Sequence, residues 1–384
     1  MALNHSSAHL QGALSPQPDQ SLTVLGLESS CDDTAAAVLR RAPDGAVRVL
    51  AEAVIGQNSA HAPFGGVVPE IAARAHAERI DALAEQVLAD AGLSVTNLDA
   101  VAATAGPGLI GGVMAALMTA KGIALGAGIP LLAINHLEGH ALSARLTETL
   151  DFPYLLLLVS GGHMQLAAVR GVGEVTRYGS TLDDAAGEAF DKTAKIMGLG
   201  FPGGPAVETL AKTARDPGRF AMPRMLARDK SCDFSFAGLK TAARRAFDQI
   251  ETPDAADRAD LAASVQAAIA THLAERAGRA MTRFTDDHPG ARAPVIVAAG
   301  GVAANQAVRT ALDQIARSRG FTLLAPPLQY CTDNAAMIAL AGAERLALGR
   351  IDGLDAPARA RWPLDAAAAA SAPASGGGRK GPKA

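Results

Sequence analysis

Residues 22–40 read LTVLGLESSCDDTAAAVLR, and residues 153–171 read PYLLLLVSGGHMQLAAVRG. Each is an apolar run, a tight turn of small, hydroxyl or acidic residues, and a second apolar run. Continuous apolar runs of this length, bounded by turn residues, read as buried strands. Residues 22–28, 35–40 and 47–55 are therefore expected as three successive strands, and 153–160 with 164–171 as a second copy of the first hairpin. Two copies of one strand-turn-strand unit, each followed by long helical segments, predict an α/β chain of two related lobes facing a cleft.

Outward from the hairpins, three more strand ends carry glycine. LDAVAATAGPGLIGG (98–112) passes from a strand through a loop into a helix, FPGGPAVETLA (201–211) opens a helix, and PVIVAAGGVAAN (294–305) is a buried strand ending in Gly-Gly before another helix. Glycine lets backbone approach a ligand, and the free N–H groups of a helix start suit phosphate. One such loop would be a steric turn; several favour nucleotide binding. A helix is expected over 69–88, with apolar positions for the core or for a partner.

With 384 residues, 49% of them hydrophobic and 19% charged, the chain can bury the core of two domains or of one large two-lobed one. Residues 1–20 and 365–384 lack the apolar content to order themselves and are expected to be disordered. No unbroken apolar run reaches about 18 residues, and the first twenty residues lack the charged start and apolar middle of a signal peptide. A cytoplasmic protein without a membrane partner is the expectation. Cys31, Cys232 and Cys331 are too few for a disulfide framework and too scattered for a zinc knuckle, so a metal site must use histidines and carboxylates. A net charge of −3 excludes a strongly basic nucleic-acid binder. A nucleic-acid substrate would need a local patch, and Arg224, Arg228, Lys230, Lys240, Arg244 and Arg245 gather six positive charges that suit phosphates or a solvated face alike.

NHLEGHALSA (135–144) sets His136 and His140 four apart, on one face of a helix and about 6 Å from each other, close enough to grip one ion. The competing reading is a helix start with Asn135 as its N-cap. Gly139 inside that helix hints at a close approach there. A metalloprotease would need its glutamate beside the first histidine. Glu138 instead points roughly 200° round the helix from His136, which disfavours peptide hydrolysis. Two histidine ligands want a carboxylate, and Asp333, at the start of a clear helix, is the best candidate on chemistry; as an N-cap it would be equally explained.

The motifs ESSCDDT, GGVVPEIAARAH, TAGPGLIGG, NHLEGHALSA, LVSGGHMQL, DDAAGEAFDKTAKIMGL, PGGPAVE, DFSFAGLKT, AGGVAAN, CTDNAAMIA and RWPL follow one another over residues 22–364. Together they resemble the tRNA threonylcarbamoyladenosine-modification transferase family in its bacterial form, once labelled a sialoglycoprotein endopeptidase. The resemblance implies an actin/Hsp70/sugar-kinase-like fold with two ribonuclease-H-like lobes around a nucleotide cleft, here 21–135 and, with helical insertions, 136–364. It implies transfer of threonylcarbamoyl from threonylcarbamoyl-AMP to N6 of adenosine 37 in tRNAs that read codons beginning with A. It implies His136, His140 and Asp333 as ligands of one divalent ion per subunit, iron(II) first and zinc(II) second. Leu158, Val159, Ser160, Gly161 and Gly162 would line the nucleotide site, joined by Asp191, Gly204 and Asn305. Archaeal and eukaryotic relatives carry a tyrosine ligand where this chain has Leu158, so a phosphate or water would complete the metal's shell. Implied companions are a paralogous partner subunit, a small ATPase and a separate synthase that supplies the donor. Asp32 is our candidate catalytic carboxylate near the acceptor, with Asp33 the rival and a turn residue the alternative. The rival function is a superfamily small-molecule kinase or ATPase, which the glycine loops alone would permit.

Overall fold

The structure, a computed structural model, describes residues 20–64 and 66–371. In chain order its strands and longer helices are β1 (Leu22–Glu28), β2 (Thr34–Arg41), β3 (Val47–Ile55), α1 (Pro69–Ala77), α2 (Ile80–Asp90), β4 (Ala100–Gly106), α3 (Ile110–Ala127), β5 (Leu131–Asn135) and α4 (His136–Leu142). There follow β6 (Tyr154–Val159), β7 (Met164–Gly171), β8 (Glu174–Ser180), α5 (Ala186–Ile196), α6 (Gly203–Ala211), α7 (Ala237–Asp248), α8 (Ala255–Asp287), β9 (Val295–Ala299), α9 (Gln306–Ser318), β10 (Thr322–Leu324) and α10 (Ala335–Ala347).

Two compact units result, one taking Met1–Thr149 and Asp333–Trp362, the other Leu150–Thr332 and Pro363–Ala384. Each is built on a five-stranded sheet, β3-β2-β1-β4-β5 in the first and β8-β7-β6-β9-β10 in the second. In both, the first three strands pair antiparallel and the last two join in parallel. The duplicated hairpin is therefore one corner of a duplicated sheet. Its strands are unbroken apolar runs because both faces are covered: every residue of β1 and of β6 is buried.

The unit boundary differs from the expected 135/136 division. β5 runs into α4 without a linker, Asn135 closing the strand and capping the helix, so both histidines stay with the first unit. Asp333 rejoins that unit because the helix behind it, α10, packs on β1, β2 and β4. The approach is close enough to exclude side chains. A Cβ on Gly26 of β1 would stand 2.4 Å from Ala335 O and 2.6 Å from Ala339 N, and one on Gly139 of α4 would stand 2.9 Å from Ile338 Cδ1. Gly139 thus marks the close approach its sequence position hinted at. Since backbone cannot yield as a side-chain tip can, Gly26→Ala should cost about 3 kcal/mol or more. Chemical denaturation reads that loss.

Other expectations are modified. The helix foreseen over 69–88 is two helices, broken at Glu78 and Arg79. α1 leans on α3, while α2 turns Ile80, Leu83, Val87 and Leu88 into the core. Disorder expected for 1–20 and 365–384 lies outside the described residues except at Gln20 and at 365–371, where a short helix, Ala366–Ser371, forms instead. The Asp365 carboxylate provides what the alanines lack, accepting from Ala368 N and from Arg177 N, both at 2.9 Å. Among the described residues one helix, α3, is long and apolar enough to cross a membrane. It is the crossover between parallel β4 and β5 and buries Val113, Ala116, Leu117, Ala120 and Ala124.

Candidate metal centre and phosphate loops

In the first unit β5 delivers His136 and, one helical turn later, His140 to the same spot. Asn135 Oδ1 accepts from Leu137 N at 2.9 Å, so the N-cap foreseen as the competing reading exists beside the histidine pair rather than instead of it. For Asp333 the competing reading fails. Asn334 caps α10, accepting from Met337 N at 2.9 Å, and leaves the Asp333 carboxylate to the histidines. Its Oδ1 lies 3.1 Å from His140 Nε2 and 3.5 Å from His136 Nε2. One ligand atom from each of the three residues falls within 4.8 Å of the other two.

The far side of His136 is held as well. Its Nδ1 lies 2.9 Å from Glu28 Oε2 and 3.1 Å from Ser30 Oγ. Glu28, wholly buried at the end of β1, accepts from Ser30 N at 2.6 Å and Thr104 Oγ1 at 2.5 Å. A carboxylate behind an imidazole fixes its orientation and leaves the other ring nitrogen for a metal. Burial works against a charged His136, yet Asp333 and Glu28 beside it hold its pKa well above the ordinary value. Burial likewise opposes ionised Asp333, and the two imidazoles hold its carboxyl well below the usual range. Without metal the centre keeps a proton, which an incoming cation must displace. Two imidazoles, one carboxylate and a fixed outer shell fit a divalent transition ion.

Glu138 takes no part: it pairs with Arg345 Nη2 at 2.5 Å, as its direction round the helix required. Asp32 and Asp33 lie in the turn between β1 and β2, where Leu109 N donates to Ser30 O at 2.8 Å and His76 holds the residues on either side of the pair. The ring of His76, on α1 and fully buried, lies 3.1 Å from Cys31 O through Nε2 and 2.7 Å from Thr34 Oγ1 through Nδ1. It therefore brackets the aspartate pair. Burial, with the Asp333, Asp32 and Glu28 carboxylates nearby, pushes Asp33 up to about 7.

The second unit gathers the remaining residues at the end of β6. Leu158 and Val159 have buried side chains and lie in the sheet ladder, Leu158 opposite Gln165 and Ala299 and Val159 opposite Met164. Ser160, Gly161 and Gly162 form the turn to β7, with Ser160 N and His163 O 2.9 Å apart. The start of α5 presses on this turn: a Cβ on Gly187 would stand 2.6 Å from Gly161 Cα. One turn on, Asp191 Oδ1 accepts from Gly203 N at 2.7 Å and so fixes the start of α6, where Gly204 faces open space. Asn305 is committed to structure, its Oδ1 accepting from Val308 N at 3.1 Å and its Nδ2 donating to Gln266 Oε1 at 2.9 Å. The N-caps of α5 and α6, Ala185 and Pro202, make no side-chain cap, and apart from Gly203 N, which Asp191 takes, this leaves helix-start N–H groups for an anion.

Glu28, Thr104 and His76 were not singled out from sequence. Glu28 had a signal, an acid closing an otherwise apolar strand; nothing local marked the other two.

Among known proteins, the tRNA N6-adenosine threonylcarbamoyltransferase family matches residues 48–340. A protein of that name from Maricaulis maris is 68% identical over 372 residues, 96% of this chain and 98% of the relative. Another from Caulobacter vibrioides is 61% identical over 368 residues, 96% and 99% of the two chains. Of solved structures, HypF from T. kodakarensis aligns at a TM-score of 0.56 and 15% identity, over 86% of this chain and 48% of that one. That likeness and the duplicated sheets bear out an actin/Hsp70/sugar-kinase-like fold.

Proposed function

The chain belongs to the tRNA N6-adenosine threonylcarbamoyltransferase family, and on that premise we infer that it places a threonylcarbamoyl group on N6 of adenosine in tRNA. The donor is threonylcarbamoyl-AMP and the acceptor is adenosine 37 of tRNAs that read codons beginning with A. What carries the chemical side of this reading is the first-unit centre, where His136, His140 and Asp333 converge and Glu28 locks His136 from behind.

These three residues would hold one divalent ion. A set of two imidazoles and a carboxylate suits iron(II), with zinc(II) the alternative. Such an ion, when bound, supplies positive charge that polarises phosphate or carbonyl oxygens. The residues do the rest. N6 is a poor nucleophile because its lone pair is delocalised into the ring, so its attack on the carbamoyl carbon needs positioning and proton removal. As the C–N bond forms, the C–O bond to AMP breaks, the phosphate leaves with the electron pair, and the N6 proton passes to a carboxylate. Asp32 is the residue to which we give that proton, in a turn held by His76. In the second unit Ser160 N is committed to His163 O, and the N–H groups of Gly161 and Gly162 and of the α5 and α6 starts suit nucleotide phosphate.

A paralogous partner subunit and a small ATPase complete the assembly, in the cytoplasm. The face for the partner subunit is the row Ile110, Met114, Met118 and Leu125 on α3, large apolar side chains between 47% and 71% exposed. To test the reading, unmodified tRNA and threonylcarbamoyl-AMP are incubated with the metal-loaded chain, alone and with its companions. The expected result is the modified nucleoside by mass spectrometry. ATP-dependent phosphorylation of a sugar in place of tRNA modification would favour the kinase reading.

A further inference from the structure

The motif DFSFAGLKT (233–241) has no part in either site, yet it is among the most heavily tied segments of the second unit. Phe234 and Phe236 are fully buried and flank the ring of His272, with centroids 5.8 and 5.3 Å away. Ser235 N donates to His272 Nε2 at 3.3 Å. Asp183 accepts from Phe236 N at 2.7 Å, Ala237 N at 3.3 Å and Ser235 Oγ, so a carboxylate from a distant loop caps α7.

One turn along α8 from His272, Arg276 does the same for the preceding loop. Its side chain is fully buried, and it donates to the carbonyls of Leu226 at 2.6 Å, Ser231 at 2.8 Å and Asp229 at 3.2 Å. Arg279, on the same face of α8, reaches Asp229 O and Ser231 O. Leu226 takes φ +48, a strained conformation that persists where the surroundings over-determine it. A buried guanidinium is costly unless its donors are used. Here the two Nη groups hold the loop's carbonyls inward, which leaves Arg228 and Lys230 outside.

What the two anchored segments turn outward is positive. Residues 224–248 hold six Lys and Arg against three Asp, within a chain of net charge −3. Nearby acids are already engaged: Asp229 with Arg276 and Ser231 N, Asp233 with Ser180 N, Asp248 with Arg244, and Glu275 with Arg224. Arg228 and Lys230 on the loop and Lys240 and Arg245 on α7 are all exposed, and no ion pair holds them among the described residues. Because His272 and Arg276 are one helical turn apart, the two segments dock side by side on α8.

We propose that this pair of segments is a pre-set platform for the phosphodiester backbone of the tRNA acceptor, with Arg228, Lys230, Lys240 and Arg245 as its phosphate-binding groups. The proposal rests on the transferase reading and deepens it by saying where the acceptor is held. Cations on a fixed helix and a pinned loop lose little freedom on binding, whereas a mobile basic tail must be ordered each time. Holding the backbone positions a nucleic acid without reading its sequence, which suits an enzyme that serves several tRNAs.

Combining Arg228→Gln, Lys230→Gln, Lys240→Gln and Arg245→Gln tests it. Affinity of the complete assembly for unmodified tRNA is measured across a salt series, alongside metal content and threonylcarbamoyl-AMP affinity. All four side chains are exposed, so the fold should survive. The expected result is a Kd at least about tenfold higher near 0.15 M salt and a salt dependence flatter by roughly 0.7 to 0.9 for each phosphate no longer neutralised. Metal content and donor affinity should hold, and returning lysine at all four positions should restore most of the binding. Unchanged tRNA affinity and slope overturn the platform, as does a variant that keeps tRNA but loses its ATPase companion. If the wild-type assembly binds no tRNA, the transferase reading fails with it.

Discussion

Asp333→Ala should abolish metal loading and cut threonylcarbamoyl transfer at least about a hundredfold while leaving the fold in place. Changes to groups that merely orient a ligand already weaken metal binding by roughly 10- to 100-fold, so loss of a ligand must exceed that. The fold should stand because α10 takes its cap from Asn334, and the alanine removes no helix-start bond. His136→Ala is the contrasting variant. It strips the fully buried Glu28 of its cationic neighbour, at a cost of about 3–5 kcal/mol, and loses metal and stability together. Metal per chain by elemental analysis, set beside a melting curve, separates the two. An Asp333→Ala protein that keeps one ion per chain and turns over normally would remove the metal centre from the mechanism.

That centre was only half legible. The spacing of His136 and His140 is a local fact, and helix geometry alone puts them on one face. Asp333 is 193 residues from His140, and no periodicity reaches so far. What joins them is close packing at two glycines, β1 against Ala335 and Ala339 of α10 at Gly26 and α4 against Ile338 and Met337 of α10 at Gly139. Glycine inside a helical or strand pattern announces that something comes close but not what. The helix start behind Asp333 shows a finer limit. Asp333 and Asn334 are both good caps, one residue apart, and only the actual register of α10 frees the aspartate.

The strands fared differently. β1, β2, β6 and β7 stand where their apolar runs placed them because a strand covered on both faces needs little beyond continuity and a turn at each end. Where composition replaced pattern, it misled. The alanines after Asp365 lack apolar bulk, yet one capping carboxylate organises a turn of helix there. The division into units was placed at a motif, His136, whereas the chain divides where packing does, after Thr149 and again at Asp333. At Asn305 the Gly-Gly-x-x-x-Asn junction suits a ligand but does not announce the two partners the fold gives the carboxamide, Val308 N on Oδ1 and Gln266 Oε1 on Nδ2.

Asp32→Ala should reduce transfer to the level of the uncatalysed reaction between bound partners, with metal content and affinity for threonylcarbamoyl-AMP close to wild type. The turn itself should persist, because His76 grips Cys31 and Thr34 rather than the aspartates. Asp33 is the neighbour against which this must be judged. Pushed up to about 7, its carboxyl changes charge near neutral pH, and a cation on Asp333 would offset part of that rise. If the charged form of Asp33 assists, the rate rises as pH climbs through that value. Asp33→Asn should then flatten the rate between about pH 6 and 8 without ending turnover. Single-turnover rates across that range, with donor affinity measured alongside, distinguish the roles. Normal tRNA modification by Asp32→Ala, with loss confined to the Asp33 variant, would move the proton to the second aspartate.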